Sequence, residues 1–212
     1  MKITFLVDNL NSWVVPYAKN LQRTLRALGH DIKFISDHAK IPGGDLLLLL
    51  SCEKILKTSI FSRNNYNLVY HASDLPKGKG MSPLTWQVLE NKKCITVSLF
   101  EASENLDEGP IYFKSKITFK GDELIDEMRE RLMQEYEELL LKFIKFVPNV
   151  KANSQKGQSS FYQKRTSTDS ELDIHKSIKE QFNLLRVVDN EKYPAYFRYK
   201  GQKYILRIEK DE

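Results

Sequence analysis

Residues Asn67 to Pro83 read Asn-Leu-Val-Tyr-His-Ala-Ser-Asp-Leu-Pro-Lys-Gly-Lys-Gly-Met-Ser-Pro. An apolar run, Leu68 to Tyr70, delivers His71 into a loop. The loop then carries Ser73, Asp74, Pro76, Gly78 and Gly80 before a helical pattern begins at Ser82 and Pro83. Pro76 fixes one backbone dihedral, and the two glycines permit left-handed angles or close approach. A strand end opening onto a loop this constrained is where α/β proteins keep their chemistry.

Working outward, the N-terminal side repeats a strand–helix–strand rhythm. Ile3 to Val7 is a buried-strand run. Asn11 and Ser12 are suited to cap a helix reaching about Leu28, with Trp13, Tyr17, Leu21 and Leu25 on its buried face and Pro16 in its first turn. Asp31 to Ser36 and Asp45 to Ser51 read as further strands, the second followed by a short helix over Glu53 to Leu56. This predicts a doubly wound, mainly parallel sheet. Downstream, a helix is expected over 82–91. Ile95 to Phe100 and Ile111 to Phe119 form a strand pair bracketing a second rigid loop, Leu106-Asp-Glu-Gly-Pro-Ile111. Asp122 to Phe146 is the strongest helical pattern in the chain, with its acidic residues on a solvated face. The expected division is a catalytic domain over 1–147, a polar linker over 148–160 and a small lobe over 161–212. That lobe should hold a helix over 174–187 and a hairpin turning at Lys200-Gly201.

The chain has 212 residues, 41% hydrophobic, with 33 basic and 28 acidic residues interleaved for a net charge of +5. This excludes pervasive disorder, and without a polybasic block it points to an anionic small substrate before a nucleic acid. No apolar run approaches the roughly 20 residues that cross a bilayer, and the first residues read as a strand and not as a leader. Cys52 and Cys94 read as reduced core thiols, which implies a cytoplasmic setting. The four histidines show no metal-ligand spacing.

His71 alone suits a structural histidine at a strand end, and Asp107 alone suits a turn aspartate capping its own backbone. Together, at the ends of adjacent strands, they make an acid/base unit. The carboxylate would favour and orient the imidazolium, and the imidazole could donate to a developing oxyanion. Near the first strand, free amides at a helix N-terminus attract anions, which marks Asn9, Asn11, Ser12 and Trp13 as acceptor-side candidates. Capping is the alternative for Asn11 and Ser12, and core packing for Trp13. Lys77 and Lys79 flank the central loop as candidate anion contacts or solvated loop lysines. Tyr162, Arg165 and Arg186 could grip a nucleotide or make surface ion pairs.

His-x-Ser-x-Leu-Pro-x-Gly-x-Gly from His71, followed by Leu-Asp-x-Gly-Pro-Ile from Leu106, resembles the folate-dependent formyltransferase family. The likeness covers about residues 1–147. It implies a Rossmann-like formyltransferase domain with His71 and Asp107 as catalytic groups. It also implies N10-formyltetrahydrofolate as co-substrate, without metal. The strand ends and central loop would then wall the folate, with Ser51, Leu75, Lys77, Gly78, Gly80, Phe100 and Leu106 as cofactor-binding candidates, the third strand end running to Ile55. The family's third catalytic residue, an asparagine two positions before the histidine, is Val69 here; Asn67 lies four before it. Ser73 is a substitute candidate. The C-terminal motifs Phe161 to Asp173 and Asn183 to Phe197 are similar to the short lobe of nucleotide-sugar formyltransferases of pseudaminic-acid-type pathways. That implies a nucleotide-linked 4-amino-4,6-dideoxy sugar as acceptor, with Lys79 on its side, no nucleic-acid partner, no membrane and a monomer or homodimer. A different amine acceptor, or folate or nucleotide-sugar binding without turnover, is the alternative.

Overall fold

A computed structural model describes residues 1–54 and 56–211. Six strands form the central sheet: β1 (Lys2–Leu6), β2 (Asp31–Ile35), β3 (Gly44–Leu49), β4 (Asn64–His71), β6 (Cys94–Glu101) and β7 (Ile111–Thr118). Their order is β2-β1-β3-β4-β6-β7. The first four run parallel, and β6 and β7 are antiparallel to their neighbours. The fold is thus α/β, Rossmann-like, with a mainly parallel sheet.

Helices α1 (Val14–Ala27), α3 (Pro83–Leu89) and α4 (Ile125–Phe146) all bury their apolar stripes against the same sheet face. Val14, Ala18, Leu21 and Leu25 do so from α1, and Met128, Leu132, Leu139 and Phe143 from α4, against Ile3, Phe5, Leu46 and Leu48. The opposite face holds a smaller cluster of Leu6, Ile41, Leu47, Leu49 and Leu56, flanked by Ile60 and Phe61 of the short α2 (Thr58–Phe61). The sheet is thus wound on both faces, as expected, but unequally: one face carries the long helices, and the other carries only the short α2, which leaves the end of β4 open to loops. His71 lies on that other side, in step with Val69 and Asn67 along β4.

Three local expectations change. Helix α1 begins at Val14 behind Trp13, not at Ser12, and the Ser12 hydroxyl reaches the Val14 N–H only at 3.5 Å. The segment expected as a helix over 53–56 includes Ile55, which lies outside the described residues. Glu53 and Lys54 donate their N–H groups to the Asp8 carboxylate at 3.0–3.1 Å instead of to a helix, and the helical turn comes later, at α2. The helix expected over 174–187 forms only as α5 (Phe182–Arg186). Before it, Asp173 Oδ1 accepts from His175 N, Glu180 Oε2 from Ser177 N, and the Gln181 amide bonds the Asp173 and Lys176 carbonyls. Such side-chain bonds compete with a helical ladder. The hairpin is as read: β9 (Ala195–Tyr199) pairs with β10 (Gln202–Leu206), with Lys200 and Gly201 both at positive φ, as a tight two-residue turn demands.

Residues 148–160 are not a free tether. Asn153 forms an antiparallel bridge with Ile111, and β8 (Phe161–Tyr162) adds a parallel strand beside β5 (Lys79–Gly80) of the central loop. The polar composition that reads as a linker belongs to a strap lying across both loops. Cys94 also departs from expectation: it is exposed, while Cys52 is partly buried and both are unpaired.

Candidate active site

His71 ends β4 with its side chain 8% exposed. Its Nε2 lies 2.7 Å from the Gly78 carbonyl, which can only accept, so Nε2 carries a proton there. That bond crosses the central loop and fixes the ring plane. Nδ1 then faces Asp107, 3.7 Å from Oδ2. This is longer than a hydrogen bond and within ion-pair distance.

Asp107 does not arrive from a neighbouring strand end. Because β6 is antiparallel to β4, its last residue pairs with Leu68 and not with His71. The loop from 102 to 110 must fold back along the sheet to reach the histidine. Gly109 makes this possible: a Cβ there would sit 1.6 Å from the Glu101 carbonyl, so no other residue fits. Asp107 itself takes φ +53°, a left-handed geometry that costs a residue with a Cβ about 1–2 kcal/mol. Its Oδ2 accepts the Gly80 N–H at 2.8 Å, which ties the two loops together. Beside this bond, Lys79 is buried and pairs with Glu108 at 2.9 Å.

The strap completes the enclosure. Ser160 Oγ accepts the Gly78 N–H at 2.9 Å, and the Gln155 amide donates to the carbonyls of both Asp107 (2.8 Å) and Gly109 (2.9 Å). Gly78 and Gly80, expected to make room for a ligand, make room for the strap. A Cβ at Gly78 would lie 2.8 Å from the Tyr162 ring, and one at Gly80 2.3 Å from the Tyr162 carbonyl. A cavity of about 380 Å³ opens where the two loops meet the strap, lined by Pro76, Lys79, Glu108, Pro110, Gln155 and Ser159 among others; neither His71 nor Asp107 lines it.

Other candidates separate from this centre. Leu75 and Phe100 are core, packed with Ile111 and Val69 beneath the loop. Leu106 and Lys77 stand exposed. Val69 offers no amide, and Asn67 spends its own on the Phe61 carbonyl and Glu101 (both 3.1 Å). Burial raises the Glu101 carboxyl above its ordinary value against the opposing bonds from Tyr112 and Asn67. Ser73 is buried, and its hydroxyl has no hydrogen-bond partner. On the first-loop side, Asn9 donates to Glu53 (3.1 Å), which also pairs with Lys164; Ser12 meets Ser51, and Lys192 reaches the Asn11 carbonyl. Trp13 packs on the main core, with its ring under Arg129.

All three nucleotide-grip candidates have partners within the fold. Arg165 donates to the Val187 and Asp169 carbonyls, and Arg186 to Glu123 and Asn183. Both are drawn below the usual guanidinium value, first by burial. Tyr162 donates to Glu90 at the end of α3. Sequence reasoning missed Gln155 and Ser160; the Gln and Ser residues of a polar stretch carry no periodic signal. Among the described residues no group of three His, Cys, Asp or Glu side chains could hold a metal.

Residues 15–144, more than half the chain, match the family model described as formyl transferase. The chain belongs to the formyl transferase family. It is 30% identical over 146 residues to methionyl-tRNA formyltransferase of Thermosipho melanesiensis, which covers 68% of this chain and 47% of that protein. This formyl transferase chain thus spans about half the length of the curated relatives it matches. Among solved structures, a sugar N-formyltransferase from Shewanella superposes with a TM-score of 0.72 at 17% identity, covering 100% of this chain and 98% of that one. HypX from Aquifex aeolicus in complex with tetrahydrofolic acid superposes with a TM-score of 0.79 at 17% identity, covering 98% and 37%. At those identities the structural likeness is one of fold.

Proposed function

We propose that this protein moves a formyl group from N10-formyltetrahydrofolate to the amine of a nucleotide-linked 4-amino-4,6-dideoxy sugar, with His71 and Asp107 as the catalytic groups. The observation that carries the reading is the convergence of these two side chains, 3.7 Å apart, both held by backbone of the central loop, His71 at the Gly78 carbonyl and Asp107 at the Gly80 N–H. Family membership supports formyl transfer.

The residues present suit the donor at its reacting end: His71 Nδ1 is engaged by no hydrogen bond, and the buried Ser73 hydroxyl two residues on has no partner. N10-formyltetrahydrofolate supplies a formyl group whose oxygen gains negative charge as an amine adds. His71 keeps Nε2 on Gly78, so Nδ1 is the nitrogen free to donate to that oxygen when protonated. Asp107 takes up the proton the amine loses, and that proton passes to N10 as the bond from the formyl carbon to N10 breaks and tetrahydrofolate leaves. Val69 contributes no donor, which leaves His71 and backbone amides to hold the oxyanion. The acceptor would meet the β1–α1 loop, with Asn9, Asn11, Ser12, Lys164 and Lys192 presenting polar groups there.

The sugar acceptor rests on the C-terminal motifs, Phe161 to Asp173 and Asn183 to Phe197. A cytoplasmic setting accords with two unpaired cysteines. The second reading, an aminoacyl-tRNA acceptor, is favoured by the sequence relatives. A panel of UDP-, dTDP- and GDP-linked 4-amino sugars, with methionyl-tRNA alongside, separates the two. Tetrahydrofolate should appear only with a sugar nucleotide. Turnover with methionyl-tRNA alone would overturn the sugar assignment, and no turnover with any amine would overturn the enzyme reading.

A further inference from the structure

We propose that Gln155 is a positioning residue of the formyl-transfer site, and that the strap carrying it holds Asp107 at its working distance from His71. The proposal rests on the reading of His71 and Asp107 as the catalytic pair. Gln155 lies in the stretch 148–160 and touches neither side chain of the pair. Its Nε2 donates to the carbonyls of Asp107 and Gly109, at 2.8 and 2.9 Å. Carbonyls only accept, so the amide nitrogen must face them, and both its hydrogens are used. Its Oε1 is buried with no partner, so the bonds to the loop are held at the expense of an unsatisfied oxygen.

The loop that Gln155 grips has reason to move. Asp107 sits at φ +53°, a conformation that relaxes unless its surroundings over-determine it. Along the backbone, Gly109 is pressed against the Glu101 carbonyl, and the Ile111 N–H and carbonyl are bonded to Asn153 (2.8 and 2.9 Å). These anchor the far end of the loop. Leu106 on the near side is exposed. Between them the side chains of Asp107 and Glu108 bond to Gly80 N–H and Lys79, and Gln155 clamps the strained peptides themselves. The same strap fixes the histidine side through Ser160 Oγ on Gly78 N and the β5–β8 pairing. One segment thus spans both halves of the site, and the 3.7 Å separation of the pair is set by how it lies.

Gln155→Leu keeps the volume, removes both donors and also removes the orphaned oxygen, so the fold should survive. Two measurements test the clamp. Amide hydrogen exchange by mass spectrometry on the whole chain should show faster exchange over 106–111 in Gln155→Leu, with β1 to β4 unchanged. Turnover of N10-formyltetrahydrofolate, with the acceptor that works for the wild type, should fall at least about tenfold in kcat, with the KM for the donor within about twofold, because a small misplacement of a reacting group costs rate before it costs binding.

Asp107→Ala and His71→Ala are run beside this variant. Unchanged loop exchange together with wild-type kcat in Gln155→Leu, while Asp107→Ala is inactive, overturns the proposal and leaves the catalytic pair standing. Wild-type rate in Asp107→Ala overturns the pair, and with it the meaning of the clamp. The exchange arm reads the strap's hold on the loop without any acceptor.

Discussion

The central loop and the strap that covers it are both short, polar and irregular, and they pair strand to strand through β5 and β8. In sequence they look nothing alike. Residues 71–80 carry a histidine, a proline and two glycines at fixed offsets, whereas 153–160 carry Asn, Ser, Gln, Lys and Gly without pattern. Their difference teaches where sequence information sits. A loop that must adopt unusual backbone angles announces itself through Pro and Gly. A loop that works through side-chain amides and hydroxyls does not.

The sharpest way to break this contrast is at the glycine where the two meet. Gly80→Ala puts a Cβ 2.3 Å from the Tyr162 carbonyl, at φ +96°. Strand β8 has to leave, so the variant should lose nearly all turnover and melt well below wild type in a thermal scan. A melting point within a degree or two of wild type would mean that the strap does not lie against the loop. On the strap side, Ser160→Ala removes one acceptor from Gly78 N. It should cost about 1 kcal/mol, read as a modest fall in the urea midpoint with the slope unchanged.

A smaller effect sharpens the electrostatics beneath the site. Burial raises the Glu101 carboxyl above its ordinary value, against the bonds from Tyr112 and Asn67. An acid raised on folding binds its proton more tightly in the native state, so it is least costly at low pH. Its cost grows as pH climbs from the unfolded value through the folded one. Glu101→Gln should therefore gain on wild type in thermal midpoint as pH rises from about 4 to 7, and a constant difference would remove burial as the cause. The smallest effect separates the thiols. Cys94 is exposed, whereas burial pushes Cys52 up to about 12. Iodoacetamide near neutral pH should label Cys94 and spare Cys52 in the native protein, as peptide mapping would report.

Much of the architecture was legible from periodicity. The strands β1 to β4, the strand pair β6–β7, the long helix α4 and the terminal hairpin follow from apolar spacing and turn residues. The face of the sheet that the helices occupy was not, because periodicity says which residues are buried and not which side buries them. The site was half legible. His71 and Asp107 stand out through their rigid loops, and the fold does bring them together. Yet the route by which Asp107 arrives, folding back from an antiparallel strand past Gly109, depends on strand direction that no local pattern encodes. Leu75 and Phe100 looked like cofactor walls because they border the loop, and they prove to be the core on which it rests. Arg165 and Arg186 looked free for a phosphate, and their donors are engaged by backbone carbonyls and Glu123 that only the folded lobe supplies.

The pair at the centre of this account is tested most directly by one rate comparison. Tetrahydrofolate release from N10-formyltetrahydrofolate is followed with a UDP-linked 4-amino-4,6-dideoxy sugar, for wild type, His71→Ala and Asp107→Ala at equal folded concentration. Each variant should lose at least about 100-fold in kcat, as expected for a general acid/base group, while its circular dichroism and melting point stay near wild type. A folded His71→Ala variant turning over at close to the wild-type rate would contradict the assignment of the chemistry to His71 and Asp107.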